Sequence, residues 1–331
     1  MMVGLMRPDI GGLAVGDIHI ACAFDVDARK VGRPVGEAIF AAPNCATVFC
    51  KEVEDDGAMV FAGPVADGVA THLADFPESQ RVVTGAGGAT KADVVRVLKQ
   101  TGATVLVNYL PVGSQKGTEL YAEACLEAGI GMVNCIPVFI ASNPGWAERF
   151  AKAGLPIVGD DIKSQFGATI THRMLMKLAI DRGFAIDSSY QLNVGGNTDF
   201  LNMLEKGRLA SKKISKTEAV TSLAEVKDIH IGPSDYVAFL KDKKVCYVRM
   251  NVRGFGGLAM ELDMKLLVED SPNSAGVVVD AVRCAALAKA AGKGGPLREV
   301  SAVLMKHPIE QMEDGVAAMR MDAWIELAGM T

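Results

Sequence analysis

Residues 104–158 read TVLVNYLPVGSQKGTELYAEACLEAGIGMVNCIPVFIASNPGWAERFAKAGLPIV, and this stretch decides the fold. Its short apolar runs TVLVN, GMVN and LPIV predict strands, and the amphipathic segments between them predict helices. Strands that alternate with helices of this length indicate a parallel, doubly wound α/β sheet. The loops after these strands are rich in Asn, Pro, Gly and Asp, and open α/β sheets bind their ligands at that edge.

An acidic residue ends the first apolar run of the chain. Residues 17–24 predict a strand, and Asp25 follows it directly. In a dinucleotide-binding fold, an acid at the end of an early strand hydrogen-bonds a ribose hydroxyl. Because Asp is also a frequent cap of helices, this position alone does not separate the two interpretations.

The character of the sequence changes after the third strand of this stretch. Residues 245–253 and 258–268 alternate apolar and polar side chains, which predicts an antiparallel sheet covered on one face. Residues 273–291 then predict a helix like those of the first part. We therefore predict an α/β fold class, a doubly wound, Rossmann-like domain interrupted by an α+β domain. The predicted boundaries are 1–164 and 271–331 for the first domain and 165–270 for the second.

Composition excludes several classes of protein. The 331 residues carry 34 Lys and Arg against 39 Asp and Glu, a net charge of −5, which argues against nucleic acid as a partner. No apolar run reaches the length of a membrane span, and the first residues show no secretory signal. The seven cysteines are scattered without a CxxC pair, and the five histidines lack metal-ligand spacing. These features predict a cytoplasmic protein with free thiols.

A lysine cluster lies downstream of two adjacent acids. The acids belong to GDDIKS at 159–164, and the cluster is SKKISKT at 211–217. Lys212 and Lys216 are four residues apart, so on a helix both ammonium groups share one face and repel each other unless an anion lies between them. A solvated basic face is the plainer interpretation. The two amides, the acid and the glycines of the intervening NVGGNTDF at 193–200 favour an anion-binding site.

Six blocks of sequence carry a resemblance that runs from about residue 3 to about residue 310. The blocks are NYLPVGS (108–114), IPVFIAS (136–142), GDDIKSQFGATITHR (159–173), QLNVGGNTDFLNML (191–204), SKKISKT (211–217) and DSPNSAG (270–276). In this order they resemble inositol-3-phosphate synthase, also called myo-inositol-1-phosphate synthase, in its bacterial and archaeal branch. That family has an NAD-binding domain interrupted by a catalytic and tetramerisation domain, which is the architecture predicted above from the strand and helix pattern.

The resemblance implies an isomerase that converts D-glucose 6-phosphate into 1D-myo-inositol 3-phosphate with bound NAD. C5 is oxidised, the C6 proton is lost to give an enolate, the enolate attacks the C1 aldehyde, and the new ketone is reduced again. The phosphate dianion and the developing oxyanions require fixed cations nearby. The resemblance also implies a homotetramer and a role in inositol and phospholipid biosynthesis. Dependence on a divalent or monovalent cation stays open.

The resemblance also implies roles residue by residue. Lys212 and Lys306 are expected nearest the reacting atoms, and Lys216 and Lys244 beside the phosphate and oxyanion. The implied catalytic set is Lys212, Lys216, Lys244, Lys306, Asp161, Ser164, Asn197 and Asp199. The implied cofactor-binding set is Asp25, Asn108, Tyr109, Leu110, Pro111, Val112, Asp161 and Asp270.

One unit expected of the family is missing from the matched region. Family members begin with a strand, a Gly-rich turn with a GNCA-like sequence and a helix, whereas the match here begins near Gly4, beyond that unit. Either the natural start lies upstream of Met1, or the dinucleotide loop is absent and NAD binding is impaired. The second explanation favours a catalytically silent subunit that binds sugar phosphate or assembles with full-length copies. Because the other site residues are intact, the first explanation, a natural start upstream of Met1, is favoured.

Three further alternatives stay open. A related NAD-dependent oxidoreductase acting on another sugar phosphate would accumulate NADH, whereas the isomerase would not. Asp160 and Asp161 could assist a divalent ion, but adjacent acids without further ligand spacing are a weak signal, and we assign no metal ligand. His172 lies within the helix predicted at 165–182, where packing in the core explains a histidine at least as well as catalysis.

Overall fold

The structure is a computed structural model that describes residues 3–54, 57–85, 88–222, 226 and 228–330. The strands are β1 (Ala23–Asp25), β2 (Val60–Ala62), β3 (Val105–Asn108), β4 (Gly131–Asn134), β5 (Pro156–Val158), β6 (Ala185–Gly195), β7 (Asp228–Tyr236), β8 (Lys243–Arg253), β9 (Ala259–Glu269) and β10 (Gly295–Pro296). The α-helices are α1 (Val35–Ala38), α2 (Lys91–Gln100), α3 (Gln115–Ala128), α4 (Pro144–Lys152), α5 (Ala168–Asp181), α6 (Thr198–Asn202), α7 (Ala210–Thr221), α8 (Pro272–Ala290), α9 (Arg298–Leu304) and α10 (Asp314–Gly329).

The first large sheet is parallel throughout and has the strand order β10-β5-β4-β3. Successive residues of β4 face opposite layers of helices: Met132 packs with α2, α3 and α4, and Val133 packs with α8 and α9. Both side chains are fully buried, because a parallel sheet is covered on both faces. The predicted doubly wound arrangement is confirmed, and β10 shows that the chain returns to this sheet after the second one.

The first predicted strand is largely wrong. The segment expected to be extended at 17–24 contains the end of a short 3-10 helix, Val15–Asp17, and only Ala23–Asp25 pairs, in parallel with β2. Ile20 remains 52% exposed. Apolar residues form a strand only where a neighbouring strand is present to pair with them. Ile20 has no such neighbouring strand in the part of the chain that the structure describes.

The second sheet has the order β7-β6-β8-β9 and is mixed. The antiparallel prediction for residues 245–253 and 258–268 is confirmed, since β8 and β9 run antiparallel. Strands β6 and β7 were not predicted; β6 runs antiparallel to β8 and parallel to β7. The predicted inward face of β8 is confirmed, since Cys246, Val248, Met250 and Val252 are buried in one apolar cluster beneath α5 and α7. An α+β unit thus interrupts the parallel one, as predicted, while the residue boundaries of the two domains stay a prediction.

Candidate active site

A cavity of about 500 Å³ is lined by loops at the carboxyl edge of the parallel sheet and by elements of the mixed sheet. Its volume lies within the usual range for small-molecule sites. It brings together most of the residues that the sequence predicted. These are Tyr109, Leu110, Pro111, Val112, Asp161, Ser164, Asn197, Asp199, Lys212, Lys216, Lys244, Asp270 and Lys306.

Two predicted cofactor residues are not among the residues that line this cavity. The Asn108 amide is used internally, donating to Thr118 Oγ1 and Asn134 Oδ1 and accepting from Leu110 N, so it holds the loop after β3 in place. Asp25 lies at the end of β1, where its Oδ1 accepts from two main-chain N–H groups and its Oδ2 is 3.9 Å from Lys30 Nζ. Both assignments stay predictions.

Helix α7 presents three polar side chains to the cavity region. Lys212 and Lys216 are each only 8% exposed and lie one turn apart, and Ser215 between them is fully buried. Ile214 on the outer side is 45% exposed. The four-residue spacing of Lys212 and Lys216 therefore places two cations on one inward face, as predicted. Their mutual repulsion has to be offset by anions.

Three of the four predicted lysines each contact a carboxylate. The pairs are Lys212 Nζ with Asp199 Oδ2 at 2.6 Å, Lys306 Nζ with Asp161 Oδ1 at 2.9 Å, and Lys244 Nζ with Asp270 Oδ1. These carboxylates come from different elements, so the contacts fix the mutual positions of α6, α7, the loop after β5 and the end of β9.

Lys216 is the lysine without such a partner among the described residues. Burial lowers its pKa to about 7, and the neighbouring ammonium groups of Lys212, Lys306 and Lys244 act in the same direction. Lys212 shows the opposite result: burial opposes its charge, but Asp199 and Asp161 outweigh it and raise its pKa. A dianion that entered the cavity would stabilise the charged form of Lys216.

The two adjacent acids Asp160 and Asp161 belong to separate networks. Asp161 has a positive φ of 63° and accepts from Lys306 Nζ and from Ser215 Oγ at 2.6 Å. Burial alone would raise the pKa of Asp161, but Lys306 and Lys212 outweigh it and lower the pKa. Asp161 is therefore a carboxylate of the lysine cluster.

Asp160 points away from that cluster and is fully buried. Its carboxylate accepts five hydrogen bonds of 2.7–3.1 Å, which bind the loop after β4. The donors are Asn134 Nδ2, Ile140 N, Ala141 N, Ser142 N and Ser142 Oγ. Both oxygens are saturated by protein donors, which speaks against Asp160 as a metal ligand. In the described ranges, no three His, Cys, Asp or Glu side chains are grouped in a way that would hold a metal ion.

Asn197 connects two of the acids beneath the lysines. Its Nδ2 lies 3.2 Å from Asp242 Oδ1 and 3.4 Å from Asp270 Oδ2, and its Oδ1 caps α6 by accepting from Phe200 N. Asp242 is 1% exposed and also accepts from the main chain and hydroxyl of Ser271. The predicted residue Asn197 is thus held by an acid that sequence reasoning missed.

Sequence reasoning assigned no individual role to Ser215, Asp242, Gln191 and Asn193, although Asn193 stood in the polar stretch at 193–200 that favoured an anion-binding site. Ser215 could have been found from its position between the two lysines of one helical face. Gln191 and Asn193 line the cavity from β6, and the segment that contains them was interpreted as leading into a Gly-rich turn. Asp242 gives no local signal, because its partners are distant in sequence. Predicted His172 is fully buried and does not line the cavity, which agrees with core packing.

Comparisons with known proteins agree with the motifs. The family described as myo-inositol-1-phosphate synthase matches residues 167–271. A protein of Mycolicibacterium smegmatis named inositol-3-phosphate synthase is 51% identical over 98% of this chain and 89% of its own length. A protein of the same name from Corynebacterium glutamicum is 49% identical over 97% of this chain and 89% of its own length.

Solved structures show the same fold. The crystal structure of Ari2 is 35% identical, with a TM-score of 0.77 over 98% of this chain and 89% of its own. A myo-inositol-1-phosphate synthase-related protein from Thermotoga maritima is 24% identical. It superposes with a TM-score of 0.78 over 95% of this chain and 88% of its own. The resemblance found in the sequence is confirmed, and this chain belongs to the inositol-3-phosphate synthase family.

Proposed function

We propose that this chain is an inositol-3-phosphate synthase, an isomerase that converts D-glucose 6-phosphate into 1D-myo-inositol 3-phosphate. The observation that carries the proposal is the convergence of four lysines and three carboxylates on one cavity. Aldol cyclisation develops negative charge on substrate oxygens inside a site that must also hold a phosphate dianion. Prepositioned cations stabilise such charge without reorganisation during the reaction.

The phosphate is assigned to Lys216 and Lys244. Lys216 has no carboxylate to neutralise it among the described residues, so a dianion can take that role. Phosphate binding would raise the lowered pKa of Lys216 and draw a proton into the site. Substrate affinity should therefore fall as the pH rises above about 7, because the free enzyme then holds Lys216 increasingly neutral.

Lys212 and Lys306 are assigned to the reacting atoms. Asp199 and Asp161 keep both ammonium groups in fixed positions, from which they can donate hydrogen bonds to the C5 oxygen during enolisation and to the C1 oxygen during ring closure. Ser164 and Asn197 line the same cavity and are assigned to substrate hydroxyls. The cluster thus serves both oxyanions of the reaction.

NAD, when bound, supplies the oxidation of C5 and its later reduction. The residues present fit this cofactor, because Tyr109, Leu110, Pro111 and Val112 give an apolar wall to the same cavity that the lysine cluster lines. We assign these four residues and Asn108 to the dinucleotide side, with Asp161 and Asp270 between cofactor and substrate. Asp25 is assigned to a ribose hydroxyl through Oδ2, which accepts no main-chain hydrogen bond from the described residues.

A divalent or monovalent cation is a further part of the proposal. Asp242 and Asp270 approach the same amide nitrogen of Asn197, which places two carboxylates close together, although Asp270 is also paired with Lys244. Removal of cations with a chelator and dialysis, followed by addition of Mg²⁺ or K⁺ one at a time, tests whether turnover depends on either ion.

We further propose a homotetramer in the cytoplasm. The face of the mixed sheet opposite α5 carries Tyr190 and Tyr247, 37% and 43% exposed, and the edge strand β9 exposes Leu267 at 55%. Apolar surface of this kind suits burial against further copies. All seven cysteines are free thiols, which suits a reducing compartment. No helix in the described residues is long and apolar enough to cross a membrane. Sedimentation equilibrium measures the assembly directly.

The function is tested by following the phosphorus spectrum of glucose 6-phosphate with the purified protein and NAD. We expect an inositol phosphate signal to appear without accumulation of NADH. NADH formed in proportion to product would instead identify an oxidoreductase. A folded protein that binds glucose 6-phosphate but forms no product would identify a silent subunit.

A further inference from the structure

Strand β6 carries a row of polar side chains on its core-facing side. Ser189, Gln191 and Asn193 occupy successive inward positions and are each no more than 3% exposed. The neighbouring strand β8 fills the same core with Val248 and Met250. Burial of polar groups in such a core is unfavourable unless each finds a hydrogen-bond partner, so the row calls for an explanation beyond packing.

The hydrogen bonds of this row have a fixed direction. Asn193 Nδ2 donates to Gly232 O at 2.9 Å, which turns Asn193 Oδ1 towards Gln191. Gln191 Nε2 must therefore be the donor in its 3.3 Å contact with Asn193 Oδ1, and Gln191 Oε1 faces the other way. The orientation of one amide follows from that of the next.

His172 on α5 ends the row. Its Nδ1 lies 3.3 Å from Gln191 Oε1, which can only accept, so Nδ1 carries the proton. Nε2 then accepts from Ser189 Oγ at 2.8 Å, and the single hydroxyl proton of Ser189 goes to this ring rather than to Arg249 O, which lies at the same distance. Burial lowers the pKa of His172 to about 4, so the ring is neutral near pH 7. A neutral ring has one donor nitrogen, and the row assigns that donor to Gln191.

The row reaches the cavity at its other end. Gln191 and Asn193 both line the cavity, whereas His172 and Ser189 do not. Gln191 Nε2 uses one N–H group for Asn193, and its second has no partner among the described residues. An amide N–H held at the wall of a polar cavity matches the hydroxyl groups of a sugar phosphate.

We propose that Gln191 is a specificity-determining residue, which donates a hydrogen bond to a hydroxyl group of the substrate, and that His172 is a positioning residue, which holds the Gln191 amide in the orientation this requires. The inference deepens the proposed function and rests on it for the identity of the substrate. A rotated amide would present its oxygen to Asn193 Oδ1 and lose the contact to His172 as well.

The test compares Gln191→Leu, His172→Phe, their double variant and His172→Asn, which keeps a donor near the position of Nδ1. Gln191→Leu and His172→Phe should each raise KM for glucose 6-phosphate about tenfold, the loss of about one hydrogen bond, with kcat within about threefold. The double variant should also stay near tenfold, because both changes remove the same interaction. His172→Asn should keep KM within about threefold of wild type.

Met176→Leu is the matched control, since Met176 lies buried on the same helix without a polar contact in the row. It should leave KM unchanged. The 2-, 3- and 4-deoxy analogues of glucose 6-phosphate identify the hydroxyl: one should lose affinity for wild type but not for Gln191→Leu.

Calorimetric titration of glucose 6-phosphate into each NAD-loaded variant separates this inference from the proposed function. If wild type binds glucose 6-phosphate but forms no product, a tenfold rise in Kd in Gln191→Leu, His172→Phe and the double variant still supports the roles of Gln191 and His172. Only the proposed function is then contradicted. An unchanged affinity in Gln191→Leu, or a roughly hundredfold effect in the double variant, would overturn the inference and leave the row a packing feature. If His172→Phe does not fold, Gln191→Leu and His172→Asn decide the question.

Discussion

Strands β4 and β6 lie at the centres of their sheets and use their buried faces in different ways. In β4, Met132 and Val133 pack into two apolar layers, and polar chemistry begins where the strand ends, at Asn134. In β6, the polar residues Ser189, Gln191 and Asn193 occupy successive positions of the core face, and the last two line the cavity. In the parallel sheet, the residues that pack the core are therefore separate from the polar residues at the strand ends. In the mixed sheet, the same face of one strand both packs against the core and lines the cavity.

The largest effect should come from the lysine cluster on the mixed-sheet side. Lys212→Ala removes an ammonium group that Asp199 and Asp161 hold in place, and we expect turnover to fall about 1000-fold. The fold and the affinity for NAD should survive, because the parallel sheet is untouched. Stopped assays followed by phosphorus spectra measure the loss.

The matched control for this variant is Lys213→Ala on the exposed side of α7, which should keep turnover near that of wild type. Near-normal turnover in Lys212→Ala would remove the main catalytic assignment and, with it, the division of labour between the two sheets.

A second effect should separate stability from activity at two neighbouring residues. Asp160→Ala leaves the donors of the loop after β4 without their acceptor, and we expect the free energy of unfolding to fall by about 3 kcal/mol. Asp161→Asn should instead lower turnover while keeping most of the stability, because its carboxylate belongs to the lysine cluster. Urea unfolding of both variants measures the contrast. Equal losses of stability would show that the two acids act as one unit.

The parallel half could be predicted from sequence and the mixed half only in part. Strands that are buried on both faces need continuous apolar runs such as GMVN, so these runs indicate a parallel sheet covered by helices on both sides. Strand β6 was missed since Gln191 and Asn193 place polar residues at its inward positions. The lysines were found through their helical spacing and the family motifs. Asp242 could not be found, because Asn197 and Ser271 reach it only through the fold.

The smallest effect should appear in the pH dependence of stability. Burial lowers the pKa of both Lys216 and Lys163 to about 7, from an ordinary 10.5. Between these values the unfolded chain holds protons that the folded chain has released, so stability should rise with pH. Each lysine contributes up to about 1.4 kcal/mol per pH unit.

Lys216→Met should remove about half of that slope between pH 7.5 and about 9, as measured by urea unfolding at several pH values. The exposed Lys152→Met is the control and should leave the slope unchanged. A slope that persists undiminished in Lys216→Met would mean that Lys216 keeps its proton in the folded state.

The most direct test of the account follows the hydrogen at C5 of the substrate. Glucose 6-phosphate labelled with deuterium at C5 is turned over in ordinary water with NAD, and the product is analysed by mass and NMR. An isomerase that oxidises and re-reduces the same carbon within one cavity predicts that the deuterium is retained in the inositol phosphate and that no NADH accumulates. Loss of the label, or its appearance in released NADH, would contradict the proposed function.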